Sequence, residues 1–253
     1  MIKEESKFID SNIFEGIVSV RSIISANKSG VNDRRINKVL FDKSKAEKKF
    51  RELRYLETNG CTVEFADTEV LDEMTIGNTH GGIVAMCGER TFPSLSADNI
   101  KPDGFYVMLE GVEDPYNFGY ALRTMYAAGV DGIVLTPRNW MGAAGVVCRA
   151  SAGASELFPM AIAESDAADI FKSAGYNIVC ADIKNAVSIY QTELRYPIFL
   201  IIGGEKRGIS RALLDKADKI IKLDYGREFN GALSTASAAS VITYEIYRQN
   251  LHN

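Results

Sequence analysis

The 253-residue chain is poor in the residues that build metal sites and disulfide frameworks. It has two histidines, and its four cysteines (Cys61, Cys87, Cys148 and Cys180) stand far apart with no C-x-x-C pair. Zinc needs clustered thiolate or imidazole ligands, so no metal is expected, and the cysteines read as reduced, buried thiols of a cytoplasmic protein. Long apolar runs are also missing. The longest, residues 198–202 with its flanks, falls far short of the roughly 20 residues of a membrane span. The first ten residues, MIKEESKFID, carry acids and no apolar stretch, so no secretory leader is expected. Neither sign of charge dominates: the net charge is −4 with 46% hydrophobic residues, which excludes a disordered polyelectrolyte. There is no internal repeat, no low-complexity tract, no Walker loop and no G-x-G-x-x-G, so any nucleotide-like ligand is held otherwise than in a P-loop or Rossmann protein.

What the chain does have is unevenly distributed. Residues 1–56 hold 13 Lys/Arg against 8 Asp/Glu, while residues 57–100 hold 1 against 8. A basic front end is thus masked by an acidic stretch, and it is a candidate phosphate-binding face. A solvated helix surface would have the same composition.

The hydrophobic pattern predicts two domains. In the first, strands are expected at 36–41, 61–66 (after the turn Asn59-Gly60) and 82–86. A charged helix punctuated by Ala46, Phe50, Leu53 and Leu56 follows the first strand, and a short helix is expected at 69–74. Residues 90–104, with Pro93, Pro102 and Asp103-Gly104, read as the linker. Beyond it, apolar strands at 105–109, 132–135, 177–181, 198–202 and 219–223 alternate with helices. That alternation predicts an α/β domain with a mainly parallel sheet and helices on both faces, its ligands bound beyond the strands' carboxyl ends. The expected division is 1–93, a linker at 94–103, and 104–253.

Three segments carry candidate chemistry. Asp114-Pro115-Tyr116-Asn117-Phe118-Gly119-Tyr120-Ala121-Leu122-Arg123 follows a buried strand. Asn117 is the expected helix N-cap, Phe118, Ala121, Leu122 and Met125 the apolar face, and Arg123 lies off that face, suited to grip a phosphate. Gly203-Gly204-Glu205-Lys206-Arg207-Gly208 ends another buried strand, where glycines let a ligand approach the backbone. Asn230 to Ser240 is dominated by small residues and reads as a helix that something packs against closely. Taken singly, each also reads as plain architecture: an exposed helix arginine, a tight turn, a packed helix.

In this order and spacing the three segments resemble the SpoU/TrmH family of RNA ribose 2′-O-methyltransferases, within the SPOUT superfamily. Asn117, Gly119 and Arg123 match the family's N-x-G-x-x-x-R motif, and Gly203, Glu205 and Gly208 its G-x-E-x-x-G motif. Ser151-Ala152-Gly153-Ala154 matches the S-x-G-A segment between them, and Thr79-His80-Gly81-Gly82 stands where many members carry N-H-Q-G. The front end resembles, more loosely, the family's ribosomal-protein-like substrate-binding domain.

The resemblance implies a deep trefoil knot in the C-terminal domain, S-adenosyl-L-methionine as cofactor, an RNA substrate (rRNA or tRNA) and a homodimer. It implies cofactor contacts from Gly203, Gly204, Glu205, Gly208, Ile221, Leu223, Leu233 and Ser234. Asn117, Arg123, Glu205 and Ser234 fall on the catalytic side. RNA contacts are expected from Arg34, Arg35, Lys48, Lys49 and His80. The third motif departs from the pattern: Ala232-Leu233-Ser234 replaces S-L-N, and the preceding I-P is absent. A relative that binds RNA without turnover is the alternative reading.

Overall fold

The computed structural model describes residues 12–76, 79–136 and 142–251, so the N-terminal stretch MIKEESKFID lies outside the described residues. The chain divides into two compact units, Met1–Thr91 with Asn139–Leu157, and Phe92–Arg138 with Phe158–Asn253. Among the described residues no helix is long and apolar enough to cross a membrane.

The first unit is a four-stranded sheet of β1 (Ile13–Glu15), β2 (Ile36–Asp42), β3 (Val63–Ala66) and β4 (Ile83–Cys87), in the order β1-β4-β2-β3. Strand β4 runs antiparallel to both neighbours and β2 pairs with β3 in parallel. Helices α1 (Gly16–Ser29), α2 (Phe50–Thr58) and α3 (Thr68–Met74) accompany it. Helix α1 and strand β1 have no counterpart in the sequence reading. The buried stripe of α1 contains Ser19 and Ser22 among Val20, Ile23, Ile24 and Ala26. Those hydroxyls bond back to the carbonyls of Glu15 and Val18, so they are satisfied inside while breaking the apolar period. Gly30, at φ 76°, ends the helix by donating to the carbonyls of Ala26 and Asn27. Helix α2 is shorter than its apolar pattern. Asp42 accepts from the Ser44 N–H and first sets a 3-10 turn at Lys43–Lys45, and of the four expected apolar positions only Leu56 is buried.

The sequence expectation places residues 142–157 in the C-terminal domain. In the structure, α5 (Ala144–Ala150) and α6 (Ala154–Leu157) pack in the first unit. Cys148 joins the core of Phe14, Val20, Ile23, Val39 and Phe41. Gly145 lies against the carbonyl of Ile13, and Gly153 (φ 87°) against the hydroxyl of Ser22, so a Cβ on either would overlap its neighbour. The S-x-G-A stretch is therefore a docking element on α1. Beside it Glu156 accepts from Asn32 Nδ2 (2.5 Å) and Arg34 Nε (2.9 Å), and Arg34 Nη1 donates to the Gly88 carbonyl (2.8 Å). Both charges are almost wholly buried, at 2% and 4% exposure.

The second unit is a seven-stranded, all-parallel sheet. Its strands are β5 (Phe105–Glu110), β6 (Gly132–Leu135), β7 (Met160–Ile162), β8 (Asn177–Ala181), β9 (Val187–Ser188), β10 (Ile198–Gly203) and β11 (Lys219–Lys222). Their order is β7-β6-β5-β10-β8-β11-β9. Its helices are α4 (Pro115–Ala127), α7 (Ala167–Ser173), α8 (Arg211–Leu214) and α9 (Thr235–Gln249). The expected strands recur within a residue or so of the ends read from the sequence, because central parallel strands, buried on both faces, leave uninterrupted apolar runs. Tyr106, Met108, Phe199 and Ile201 share one core with Phe171 of α7 and Leu213 of α8. The alternate residues Phe105, Val107, Leu200 and Ile202 are buried as well. From β5 the chain builds outward through β6 and β7, then returns to build the other side, so the order reverses between β5 and β10. That reversal makes the crevice in which parallel sheets bind ligands.

Replacing Glu156 with alanine strands a buried guanidinium. Glu156→Ala should cost about 3–5 kcal/mol, read as a lowered denaturation midpoint of the full chain.

Candidate functional site

Strands β5 and β10 end side by side, with Gly203 in register with Glu110. The Gly204 N–H donates to the Glu110 carbonyl (2.7 Å), and the Gly208 N–H to the Gly204 carbonyl (3.0 Å). A Cβ on Gly204 would overlap the carbonyl of Gly111, and one on Gly203 the backbone of Gly208. The two glycines are thus required for separate reasons. One lets the loop touch the neighbouring strand's exit, and the other lets it fold back on itself. The Glu110 carboxylate accepts from the Ser210 N–H (2.8 Å) and closes the far end of this loop.

Glu205 lies at the centre. Its Oε1 accepts from Asn117 Nδ2 (3.1 Å) and from the Thr235 N–H (3.0 Å), while the Thr235 hydroxyl donates to the Gly203 carbonyl (3.3 Å). One carboxylate oxygen thereby joins the first turn of α4, the β10 loop and the first residue of α9. A negative charge at the N-terminus of a 15-residue helix is favourably placed. Burial pushes the Glu205 carboxyl up, but hydrogen bonds from the Thr235 N–H and its own backbone N–H outweigh this and hold it below its ordinary 4.5.

Asn117 is not the helix N-cap. Helix α4 starts at Pro115, and Asp114 caps it by accepting from the Tyr116 N–H (2.8 Å). The Asn117 amide, relieved of capping, reaches across to Glu205. Phe118, Ala121, Leu122 and Met125 form the buried face as expected, with Gly119 buried beside them. Arg123 is exposed, and among the described residues its guanidinium has no ion pair or hydrogen bond.

The small-residue stretch is helical only from Thr235 onward. Ser234 caps α9 by accepting from the Ser237 N–H (3.2 Å), so its hydroxyl serves the helix. The Leu233 N–H donates to the Tyr225 hydroxyl (3.3 Å), and the Leu233 side chain is 38% exposed. Ile221 is buried within β11, Leu223 is half-buried just past it, and Gly208 is exposed at φ 63°. The structure therefore brings together Asn117, Gly203, Gly204, Glu205, Gly208 and Ser234, and leaves Arg123 apart from their hydrogen bonds. Thr235 and Tyr225 were missed. The cap pair Ser234 and Ser237 signals the helix start that makes Thr235's N–H available.

In the first unit two expected RNA contacts lie inside. Arg34 is buried and bonded to Glu156 and Gly88. His80, 2% exposed, sits between Asp72 (Nε2 to Oδ1, 2.8 Å) and the Gly82 N–H, which donates to Nδ1 (3.0 Å). Its role is to hold the turn 79–82. Arg35 and Lys48 are exposed and Lys49 half-buried, without ion pairs among the described residues. Other lysines are engaged: Lys38 with Glu64 (2.9 Å), Lys43 with Asp67 (3.3 Å) and Lys45 with Asp42 (3.2 Å). Burial raises the Asp42 carboxyl, but bonds from Ser44, Thr68 and Lys45 more than offset it and hold it at about 2.

Comparison with known proteins gives matches in both halves of the chain. Residues 104–244 match the SpoU rRNA Methylase family, and residues 20–93 match the description RNA 2′-O ribose methyltransferase substrate binding. YacO of Bacillus subtilis (strain 168), assigned to the TrmH family of tRNA/rRNA methyltransferases, is 30% identical over 197 residues, 75% of this chain and 78% of that one. A solved RNA 2′-O ribose methyltransferase superposes with a TM-score of 0.78 at 20% identity, covering 95% of this chain and 89% of its own. The SpoU methyltransferase AviRb from Streptomyces viridochromogenes, solved with AdoMet, gives 0.75 at 19% identity, covering 94% and 89%. At those identities the structures speak for the fold.

Because the folded value of Glu205 lies below 4.5, its stabilising contribution is complete above that pH and is lost as pH falls through the folded value. Glu205→Gln should therefore melt below wild type at neutral pH, and the gap should narrow below about pH 4.5.

Proposed function

The chain belongs to the SpoU rRNA Methylase family, and from that premise we propose that it methylates a ribose 2′-hydroxyl of rRNA or tRNA with S-adenosyl-L-methionine. The observation that carries the reading is the Asn117–Glu205–Thr235 clasp, set in the crevice between β5 and β10.

The residues present fit such a cofactor. The space beside Gly203 and Gly204 is filled by the protein's own backbone, at Gly208 and Gly111, so these glycines shape the loop where the sequence suggests direct approach of a ligand. Leu233, exposed on the loop before α9, offers an apolar surface for an adenine ring. Gly208 and Leu223 flank the same loops, while Ile221, buried in its strand, has only backbone to contribute. When bound, S-adenosyl-L-methionine supplies a methyl carbon made electrophilic by its sulfonium sulfur. The clasp keeps the three loops in one arrangement, so the binding surface is formed before substrate arrives. Such alignment is worth up to about 7–11 kcal/mol in favourable cases. Arg123, exposed and with its donors unengaged among the described residues, holds the phosphate next to the target ribose and stabilises charge developing on the 2′-oxygen. It does not take the proton, since guanidinium stays charged with a pKa above about 12. Ser234 shapes the cofactor loop through its cap.

The same reading includes the trefoil knot, formed by the loops 204–210 and 223–234, and a homodimer. Tyr120 of α4 and Val241 and Tyr244 of α9 are exposed on two helices joined by the Ser240–Thr124 hydroxyl bond (3.1 Å), and this apolar face supports a second copy. Arg35, Lys48 and Lys49 supply RNA affinity in the cytoplasm, without Arg34 and His80.

Calorimetry should detect S-adenosyl-L-methionine binding to the full chain. Arg123→Ala should keep the melting curve and cofactor affinity while single-turnover ribose methylation falls about a hundredfold or more, and Arg123→Lys should recover little. Normal rates in Arg123→Ala would refute its role. Cofactor binding with no methylation of any cellular RNA would favour the relative without turnover.

RNA affinity should also fall steeply with salt, as counterions are released from phosphates. The double change Lys48→Glu with Lys49→Glu should weaken binding and flatten that slope while leaving cofactor affinity intact.

A further inference from the structure

Phe50, the first residue of α2, holds 57% of its surface in solvent. A single exposed aromatic is commonplace on a protein surface, but the company of this one is not. Lys48, Lys49, Arg51 and Arg54 surround it in sequence, and among the described residues none of the four has an ion pair or side-chain hydrogen bond. By contrast Lys38 of β2 and Lys43 and Lys45 of the 3-10 turn after it are each paired with an acid. Glu47 and Glu52 leave the stretch 47–54 with a positive surplus. Phe50 and Arg54 are four residues apart on one helix and therefore share a face. Lys49 Nζ lies over Gly81, which has no side chain to displace it. The opposite side of α2 is occupied: Leu56 is in the core, and the Arg21 guanidinium covers the Tyr55 ring at 5.0 Å.

We propose that Phe50 is a stacking platform for one unpaired nucleobase, with Lys48, Lys49, Arg51 and Arg54 holding the flanking phosphates. The first unit then selects single-stranded RNA, a loop or bulge, over duplex. The proposal rests on the RNA-substrate reading above and adds the class of RNA. In a duplex each base face is covered by its neighbours, so only an unpaired base offers its face to a ring. Every base has such a face, so the platform is indifferent to base identity. A protein partner is disfavoured because protein interfaces are depleted of lysine at their cores.

The test uses the full chain with a 12-nucleotide oligouridylate and an RNA duplex of equal phosphate number. Wild type should prefer the single strand. Phe50→Ala should lose about tenfold or more of single-strand affinity, with an unchanged salt slope, unchanged duplex affinity and an unchanged melting curve. Phe50→Trp should retain affinity, and its indole emission should be quenched on saturation. Equal single-strand affinity in wild type and Phe50→Ala, with the Lys48→Glu, Lys49→Glu pair still impaired, would overturn the platform and leave the RNA reading standing. A Phe50→Ala variant that changes only self-association would overturn it in favour of a protein contact. Failure of wild type to bind either RNA would overturn both.

Discussion

Two parallel strands end side by side, and their exits meet backbone to backbone. Everything at the candidate site depends on that closeness. With no Cβ at Gly203 or Gly204, the loop after β10 can lie against Gly111 and against its own return at Gly208. Glu205 is thereby carried to a point where it meets α4 on one side and the first N–H of α9 on the other. The carboxylate is the lock and the glycines are the fit. A side chain at either glycine would move the carboxylate as well as the backbone.

The parts of this arrangement legible in the sequence were those with a strong local signal. Buried parallel strands appear as apolar runs, and the spacing of Asn117, Gly119 and Arg123 and of Gly203, Glu205 and Gly208 survives in the linear order. What was illegible depended on partners distant in the chain. Helix α1 escaped because Ser19 and Ser22 satisfy their hydroxyls on the preceding turn and so pass as polar while buried. Asn117 has the chemistry of a cap and lies near a helix start, but Asp114 stands before Pro115 and takes that place. Position in the chain groups residues 142–157 with the C-terminal domain, whereas Gly145, Cys148, Gly153 and Glu156 pack them against the first unit's residues.

Charge along a sequence registers residues and not their exposure. Arg34 adds to the basic total of the front end, yet its guanidinium is buried against Glu156 and the Phe14 ring. Lys45 adds to it as well, yet it faces Asp42, a carboxylate held at about 2 and hence ionised across the physiological range. Among the described residues of the front end, the cations left free of acids concentrate around the start of α2. The altered third motif gains a plain physical reading in the same way. Ser234 and asparagine are both preferred N-caps, so the substitution preserves the start of α9 and, with it, the N–H that Glu205 accepts.

The discontinuity of the first unit bears on how the protein is made. Domains generally fold as units while the chain is still emerging, at about 5–20 residues per second. Here the first unit is not complete when Thr91 appears, because Cys148, Gly153 and Glu156 have yet to be synthesised. By the time they arrive, β5, α4 and β6 of the second unit are already out. Until residue 157 emerges, Arg34 waits without its carboxylate and α1 without its cover. The first unit therefore receives its last elements only after part of the second has been made.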